Sequence, residues 1–139
     1  MIRGAAVVAV ASLCLACRGE PPDLPPVPPT PSPEQIRYQE MELAGFIHFS
    51  INTFTDREWG FGDESPTLFD PTDLDPGQWA RVATEFGMGE LILTAKHHDG
   101  FCLWPSETTD HDIAASPLKD GEGDLVAEFA AAAREEGLA

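Results

Sequence analysis

Two short runs of apolar residues stand out in an otherwise mixed sequence, and each predicts a buried β-strand. The first covers residues 43–49 (LAGFIHF), and the second covers residues 90–95 (ELILTA). Hydrophobicity is continuous rather than alternating in both runs, which is typical of parallel strands buried on both faces. The pattern therefore predicts two strands of a parallel sheet.

An amphipathic stretch lies between these runs and predicts a helix. Its apolar positions recur at i, i+3, i+4 and i+7 from Trp79 to Phe86. Asp75 and Pro76 precede it as a cap and a first-turn residue, and Gly87 follows its end. These are the usual start and stop residues of a helix.

A second helix is predicted after the second strand. Asp124 is its expected cap, an apolar stripe runs from Leu125 to Ala133, and Gly137 ends it. The resulting β-α-β-α order implies a parallel sheet with right-handed crossovers. No Gly-x-Gly-x-x-Gly follows either strand, so a dinucleotide-binding sheet is not indicated. The predicted fold class is α/β: the first two βα units of a (β/α)8 TIM-type barrel, incomplete here because a whole barrel takes about 250 residues.

The amino-terminal residues predict an export signal. One base, Arg3, precedes an uncharged run over residues 4–16 that is too short to span a bilayer but suits a signal-peptide core. Leu15, Ala16 and Cys17 resemble the recognition box of bacterial lipoproteins, although Cys14 stands where that pattern wants Leu. We therefore expect residues 1–17 to be a signal peptide with a lipidation site at Cys17, and the protein to be exported to the periplasm or cell surface. An ordinary cleaved signal is the alternative.

Proline dominates the next segment, since eight of the 13 prolines fall between Pro21 and Pro33. Such a run favours extended polyproline geometry and cannot pack a core. Residues 18–35 are therefore predicted to be a linker, and residues 36–139 the amino-terminal part of the barrel domain.

Charge and cysteine content narrow the classes of function. A net charge of −16 argues against nucleic acid and against anionic membrane surfaces, so membrane contact is expected only through the anchor at Cys17. Cys102 is the one cysteine outside the signal region. Its apolar neighbours favour a buried structural thiol over a nucleophile.

Polar side chains gather where the two strands end, and they suggest two kinds of site. His48 closes the first strand, while Lys96, His97, His98 and Asp99 close the second. Three histidines and a carboxylate could bind Zn²⁺. Adjacent strand residues point to opposite faces, however, so His97 and His98 share an ion only if the backbone turns between them.

A pocket for a polyhydroxylated ligand is the other reading. Imidazoles offer a donor and an acceptor, Glu58 could accept from two adjacent hydroxyls, and Trp59 offers a flat apolar surface to a sugar. Each residue also has a structural alternative: Trp59 could pack the loop, Glu58 could pair with Arg57, and one of the adjacent histidines could be buried and satisfied.

Two long motifs closely resemble the α-L-fucosidases of glycoside hydrolase family 29. They are residues 46–60 (FIHFSINTFTDREWG) and residues 93–105 (LTAKHHDGFCLWP). Shorter matches are Phe69-Asp70-Pro71, Trp79-Ala80-Arg81, Lys119-Asp120-Gly121 and Gly123-Asp124, and departures are Leu118, Phe61 and Met88-Gly89-Glu90. The form NTFTDREW is similar to the branch acting on 1,3/1,4-linked fucose.

The resemblance implies a barrel enzyme that releases terminal L-fucose from fucosylated glycans with retention, using two carboxylates. It places His48, Glu58, Trp59, His97 and His98 in the fucose-binding site and implies no metal or organic cofactor. No position matches the family's nucleophile or its acid/base, which are expected beyond Ala139. We therefore expect a fragment that is inactive alone.

Tempting substitutes for the missing carboxylates are Glu58, which the resemblance assigns to binding, and Asp99, which precedes Gly100 and is typical of a turn. We assign catalysis to neither. Two alternative functions stay open at this point: a non-catalytic sugar-binding or interaction lipoprotein, and a metal-dependent barrel hydrolase.

Overall fold

Two parallel strands lie at the centre of the chain, as the apolar runs predicted. In the computed structural model, which describes residues 23–25 and 27–139, β1 covers Ala44–Ile47 and β2 covers Glu90–Leu93. They pair in parallel from Ala44 opposite Glu90 to Ile47 opposite Leu93. Both strands are shorter than the apolar runs that predicted them, because the residues after Ile47 and Leu93 already turn into loops.

Three α-helices and four short 3₁₀ turns complete the described part of the chain. Helix α1 covers Pro33–Glu40, α2 covers Pro76–Glu85 and α3 covers Leu125–Glu135. The 3₁₀ turns are Ile51–Phe54, Pro66–Leu68, Ile113–Ala115 and Leu118–Gly121. The order β1, α2, β2, α3 is the predicted one.

The ends of α2 and α3 are formed by the residues that the sequence indicated. Asp75 accepts a hydrogen bond from the Gln78 N–H, and Asp124 accepts one from the Ala127 N–H, so each aspartate caps a helix. Gly87 and Gly137 have φ of +76° and +73°, the left-handed conformation that commonly follows a helix.

Helix α1 begins at Pro33 and so overlaps the last three residues of the predicted linker. Proline is well tolerated in the first helical turn, where its missing N–H would have no intrahelical partner. None of the residues of α1 is buried, so hydrophobic periodicity could not have indicated this helix.

Two apolar clusters hold the fold together. One lies between the sheet and helices α2 and α3, and its buried members are Ala80, Ala83, Leu91, Phe129, Ala132, Ala133 and Leu138. The other lies under the loops that follow the strands, with buried members Ile51, Phe69, Phe101, Leu103, Ile113, Leu118 and Leu125. The loops at the carboxyl ends of the strands therefore have a core of their own, which fixes their shape.

The apolar stripe of α2 is only partly used. Ala83 is buried and Trp79 packs against both clusters, but Phe86 is 72% exposed and Val82 is also exposed. On α3 the stripe agrees with the structure, since Leu125, Phe129 and Ala133 are all buried.

Only one face of the sheet is covered, so the prediction of strands buried on both faces is wrong for these residues. Leu91 and Ile47 pack towards the helices, whereas Phe46 on the opposite face is 62% exposed. Continuous hydrophobicity indicated two apolar faces correctly. It could not say whether both faces would find partners among the described residues.

The free edge of β2 pairs with the last residue of the chain. The Ala139 N–H donates to the Gly89 carbonyl at 3.1 Å, and the Leu91 N–H donates to the Ala139 carbonyl at 3.2 Å. In a parallel ladder, the N–H and the C=O of one residue bond to two residues that lie two positions apart on the neighbouring strand. Ala139 thus continues the hydrogen-bonding pattern at the edge of the two-stranded sheet.

Residues 1–17, with the predicted signal and Cys17, lie outside the described residues, as does much of the predicted linker. No helix within the described ranges is long and apolar enough to cross a membrane.

Candidate functional site

His48 and Thr94 face each other across the carboxyl ends of the two strands. Each lies one residue beyond its strand, as the next pair after Ile47 and Leu93 in the parallel register. Thr94 Oγ1 and His48 Nδ1 are 2.7 Å apart, a short hydrogen bond. The ring of His48 also stacks on that of Phe46, with centroids 5.6 Å apart and planes 8° from parallel. The His48 ring is therefore held on two sides.

His97 and His98 both join this site, because the chain turns directly after them. The ring of His97 is edge-on to His48 at 6.1 Å and to His98 at 4.9 Å. The Gly100 N–H donates to the His97 carbonyl, and Gly100 has φ of +79°, which closes the turn. His97 Nδ1 is buried without a hydrogen-bond partner among the described residues.

Trp59 reaches the site from the loop after β1 and stacks on His98. Their ring centroids are 4.2 Å apart, with planes 7° from parallel. Trp59 stays 57% exposed and His98 is exposed as well, so one face of the pair is open to solvent. Trp59 therefore packs against the neighbouring loop through His98 and stays outside the buried clusters.

A buried carboxylate fixes the loop that carries Trp59. Glu64 accepts hydrogen bonds of 2.9 Å from the N–H groups of Phe61 and Gly62, and Arg57 lies 3.7 Å from it. These contacts, with the Phe61 hydrogen bond foremost, hold the pKa of Glu64 below its ordinary value. The charged form is therefore the one that holds the loop.

Arg57 pairs with Glu64, not with Glu58 as the structural alternative for Glu58 proposed. The carboxylate of Glu58 is exposed and makes no ion pair or hydrogen bond with the described residues, while its backbone carbonyl accepts from the Asn52 side chain at 3.0 Å. Its carboxylate therefore remains available to a ligand.

The two loops touch at Gly60. A Cβ built on Gly60 would lie 2.5 Å from the Asp99 Cβ and 2.8 Å from Glu64 Oε1, so only glycine allows this approach. Close contact here is what brings Trp59 over His98.

Asp99 has the turn role that its sequence context predicted. It is buried, and its Oδ1 accepts from the Phe101 N–H at 2.7 Å. That contact spans two residues, as in an Asx-turn. Cys102 is buried too, and burial raises the pKa of its thiol, which agrees with a structural cysteine.

A metal centre would need ligands grouped around one point. Within residues 23–25 and 27–139, no three histidine, cysteine, aspartate or glutamate side chains are arranged to share an ion. His97 and His98 do turn toward one region, but they contact each other and Trp59 through their ring faces and edges.

A separate cavity of about 470 Å³ opens beside the site. Its lining comprises Gly62, Lys96, Asp99, Gly100, Cys102, Trp104, Thr108, Thr109 and His111. None of the five predicted sugar-binding residues lines it.

Comparison with known proteins identifies the family. The sequence model of the family described as Alpha-L-fucosidase matches residues 32–139. The chain belongs to the alpha-L-fucosidase family.

Relatives within this family are similar in sequence and in fold. Alpha-L-fucosidase 1 of Arabidopsis thaliana is 51% identical over 113 residues, which cover 81% of this chain and 22% of that protein. The crystal structure of a glycoside hydrolase 29 family member from an unknown rumen bacterium is 54% identical with a TM-score of 0.79, covering 82% of this chain and 21% of that one.

A third relative has been captured during its reaction. It is an alpha-L-fucosidase GH29 trapped covalent intermediate from Bacteroides thetaiotaomicron, 30% identical, with a TM-score of 0.67 over 78% of this chain and 29% of that chain. The present chain thus spans between a fifth and a third of the length of these relatives.

Four of the five residues predicted for an alpha-L-fucosidase site form one continuous cluster: His48, His97, His98 and Trp59. Glu58 lies next to this cluster in sequence with an exposed side chain. Two contributors were missed. Thr94 carries a weak signal, since it is the polar residue one place beyond a strand, whereas nothing in the sequence marked Glu64 as the anchor of the loop.

Proposed function

We propose that this chain forms part of the L-fucose-binding site of an α-L-fucosidase, a retaining glycosidase that releases terminal L-fucose from fucosylated glycans. The observation that carries the proposal is the cluster of three imidazoles and a stacked tryptophan where two parallel strands end. Family membership supplies the chemical class of the ligand.

The chemistry of the cluster suits a deoxysugar. With Nδ1 of His48 bound to Thr94, its Nε2 is the nitrogen left for a ligand. The exposed ring of Trp59 offers an apolar surface to the sugar's C–H and methyl groups, and the Glu58 carboxylate can accept from neighbouring hydroxyls. His97 and His98 complete the polar wall.

The reaction we propose proceeds through a glycosyl-enzyme intermediate formed by one carboxylate while a second acts as acid and then base. The covalent intermediate trapped in the Bacteroides thetaiotaomicron relative supports this route. We assign neither carboxylate to the described residues. Asp99 Oδ1 accepts from the Phe101 N–H in its turn, and we assign Glu58 to the binding surface.

We also propose that β1, α2, β2 and α3 are the first two βα units of a (β/α)8 barrel. Three observations support this: the parallel pairing, the uncovered sheet face around Phe46, and the parallel-type hydrogen bonds of Ala139 at the free edge of β2. In such a barrel the uncovered face would be the interior, and His48 and His97 would lie at the catalytic end.

Export and anchoring are proposed from the sequence of residues 1–17. Metabolic labelling with a radioactive fatty acid in a bacterial host tests the anchor. We expect label on the chain and on the Cys14→Ser variant, and none on Cys17→Ser. Label lost in both variants or in neither would count against lipidation at Cys17.

The binding proposal is tested by titrating the full chain with L-fucose in a calorimeter. We expect saturable binding that Trp59→Ala and His48→Ala both weaken. Phe86→Ala is the matched control, since it removes an exposed aromatic ring just after α2 and outside the site. Wild-type chain that is folded but shows no saturable binding would refute the proposal.

The same samples are then assayed with an aryl α-L-fucoside. We expect binding without turnover. Clear turnover would show that carboxylates of this chain suffice for catalysis, and that our assignment of Glu58 and Asp99 is wrong.

A further inference from the structure

The contact between Thr94 and His48 joins two side chains that hydrophobic patterning alone would have left unrelated. The 2.7 Å separation of Oγ1 and Nδ1 is short enough for a full hydrogen bond. Thr94 makes no other side-chain hydrogen bond within the described ranges. Its hydroxyl therefore serves His48 specifically.

A neutral imidazole has one N–H and one bare nitrogen, and a partner on one nitrogen decides the role of the other. We propose that Thr94 is a positioning residue, which holds His48 in one tautomer and one ring plane and so fixes what Nε2 offers to the sugar. The link to the sugar rests on the function proposed above. The link between the two side chains does not.

The sense of this hydrogen bond is part of the proposal. Either atom can donate, depending on the tautomer of His48, and we assign the Thr94 hydroxyl as the donor. Donation to Nδ1 satisfies that hydrogen and leaves the ring proton on Nε2. His48 then presents an N–H donor to a sugar oxygen.

Two further contacts make the arrangement stiff. Phe46 stacks on one face of the His48 ring at 5.6 Å, and His97 meets the ring edge-on at 6.1 Å. Thr94 is β-branched and therefore has few rotamers. Phe46 and Thr94 restrain different motions of the ring. Loss of the hydroxyl should therefore allow exchange between the two His48 tautomers while the stacking on Phe46 remains.

The first test is nuclear magnetic resonance of ¹⁵N-labelled histidine in the full chain, at a pH where His48 is neutral. We expect widely separated ring nitrogen shifts for His48 in the wild type and in Thr94→Ser, which keeps the hydroxyl. We expect the two shifts to converge in Thr94→Val, which keeps the shape and removes the donor. Thr84→Val makes the same change at an exposed position of α2 and should leave the His48 shifts unchanged.

Identical His48 shifts in the wild type and Thr94→Val would overturn the proposal. So would a wild-type spectrum showing the ring proton on Nδ1. A general loss of structure in Thr94→Val would be visible across all the histidine resonances. In that case the comparison of Thr94→Ser with the wild type remains the test, because a difference between their His48 shifts would overturn the proposal.

The second test is calorimetric titration with L-fucose. We expect Thr94→Val to weaken binding about five- to tenfold and Thr94→Ser to restore it, in line with the loss of one preorganised hydrogen bond. Wild-type binding with no change in Thr94→Val would overturn the positioning role. Absence of wild-type binding together with the expected tautomer shifts would instead refute the fucose site and leave the positioning role standing.

Discussion

Trp59 and His98 stack face to face with ring centroids 4.2 Å apart, although they come from the loops after two different strands. Neither ring is buried, so this contact is not part of the apolar core. It builds a flat platform at the mouth of the site. The platform depends on the contacts between the two loops beneath it. Variants at these contacts therefore test the site most directly.

Replacing Trp59 by alanine should remove the platform with little effect on stability. Trp59 is 57% exposed and lies outside the core, whereas its open face is the surface that we assign to the sugar, so we expect L-fucose affinity to fall about tenfold. Trp59→Phe, which keeps a smaller ring, should lose less. Calorimetric titration and urea unfolding together measure both effects, and a fall in stability that matches the fall in affinity would contradict a role in binding.

Substituting Gly60 by alanine should separate the two loops. The new methyl group would lie 2.5 Å from the Asp99 Cβ, so one loop must move and Trp59 should leave His98. We expect weaker L-fucose binding and a change in Trp59 fluorescence. Gly77→Ala is the control, because the methyl group there would lie 3.0 Å from side-chain atoms of Arg81 and Asp75, which belong to α2 and its cap rather than to the two loops. Equal effects of the two variants would disprove the explanation.

Glu64→Gln should weaken the loop by removing the charge that accepts two backbone hydrogen bonds. Hydrogen bonds to charged groups contribute about 1.5–3 kcal/mol, and we expect a loss of stability of about this size at neutral pH. Urea unfolding at pH 7 measures it. Glu58→Gln, which changes an exposed carboxylate of the same loop, should have almost no effect on stability.

Glu64 should also make stability depend on pH in a defined direction. The pKa of Glu64 is lowered in the folded chain from its ordinary value of 4.5, so the unfolded chain binds the proton first as pH falls. Its stabilising contribution is complete above about pH 5 and is lost as pH drops through the folded pKa. Between pH 6 and pH 3, the free energy of unfolding should therefore fall less steeply with pH for Glu64→Gln than for the wild type. Equal slopes for the two proteins would disprove the assignment.

Asp124→Ala should destabilise α3 by about 1 kcal/mol, because the Ala127 N–H loses its acceptor. Asp124→Ser keeps a capping oxygen and should recover most of that loss. Urea unfolding measures the difference. Equal stability of the alanine and serine variants would show that the capping hydrogen bond does not stabilise α3.

Local physics made much of the fold predictable. The caps Asp75 and Asp124, the glycines after each helix and the two apolar runs each act within a few residues, so the sequence alone indicated β1, α2, β2 and α3. Helix α1 escaped prediction because it buries nothing and so carries no apolar stripe.

The candidate site residues could be named from the sequence, but their arrangement could not. His48, Glu58, Trp59, His97 and His98 were named from a family resemblance, and sequence reasoning could place the histidines near the strand ends because parallel strands end at one edge. Their contacts depend on the turn at Gly100 and on the close approach at Gly60, which are set by packing between distant segments.

The sequence by itself thus determined β1, α2, β2 and α3, the family and the choice of candidate binding residues, since each follows from local propensity or from a long motif. Tertiary structure alone decided that Arg57 binds Glu64 rather than Glu58, that Thr94 holds His48, and that Trp59 lies on His98. Those pairings join residues whose separation along the chain carries no periodic signal. They exist because two loops share a buried core that presses them together.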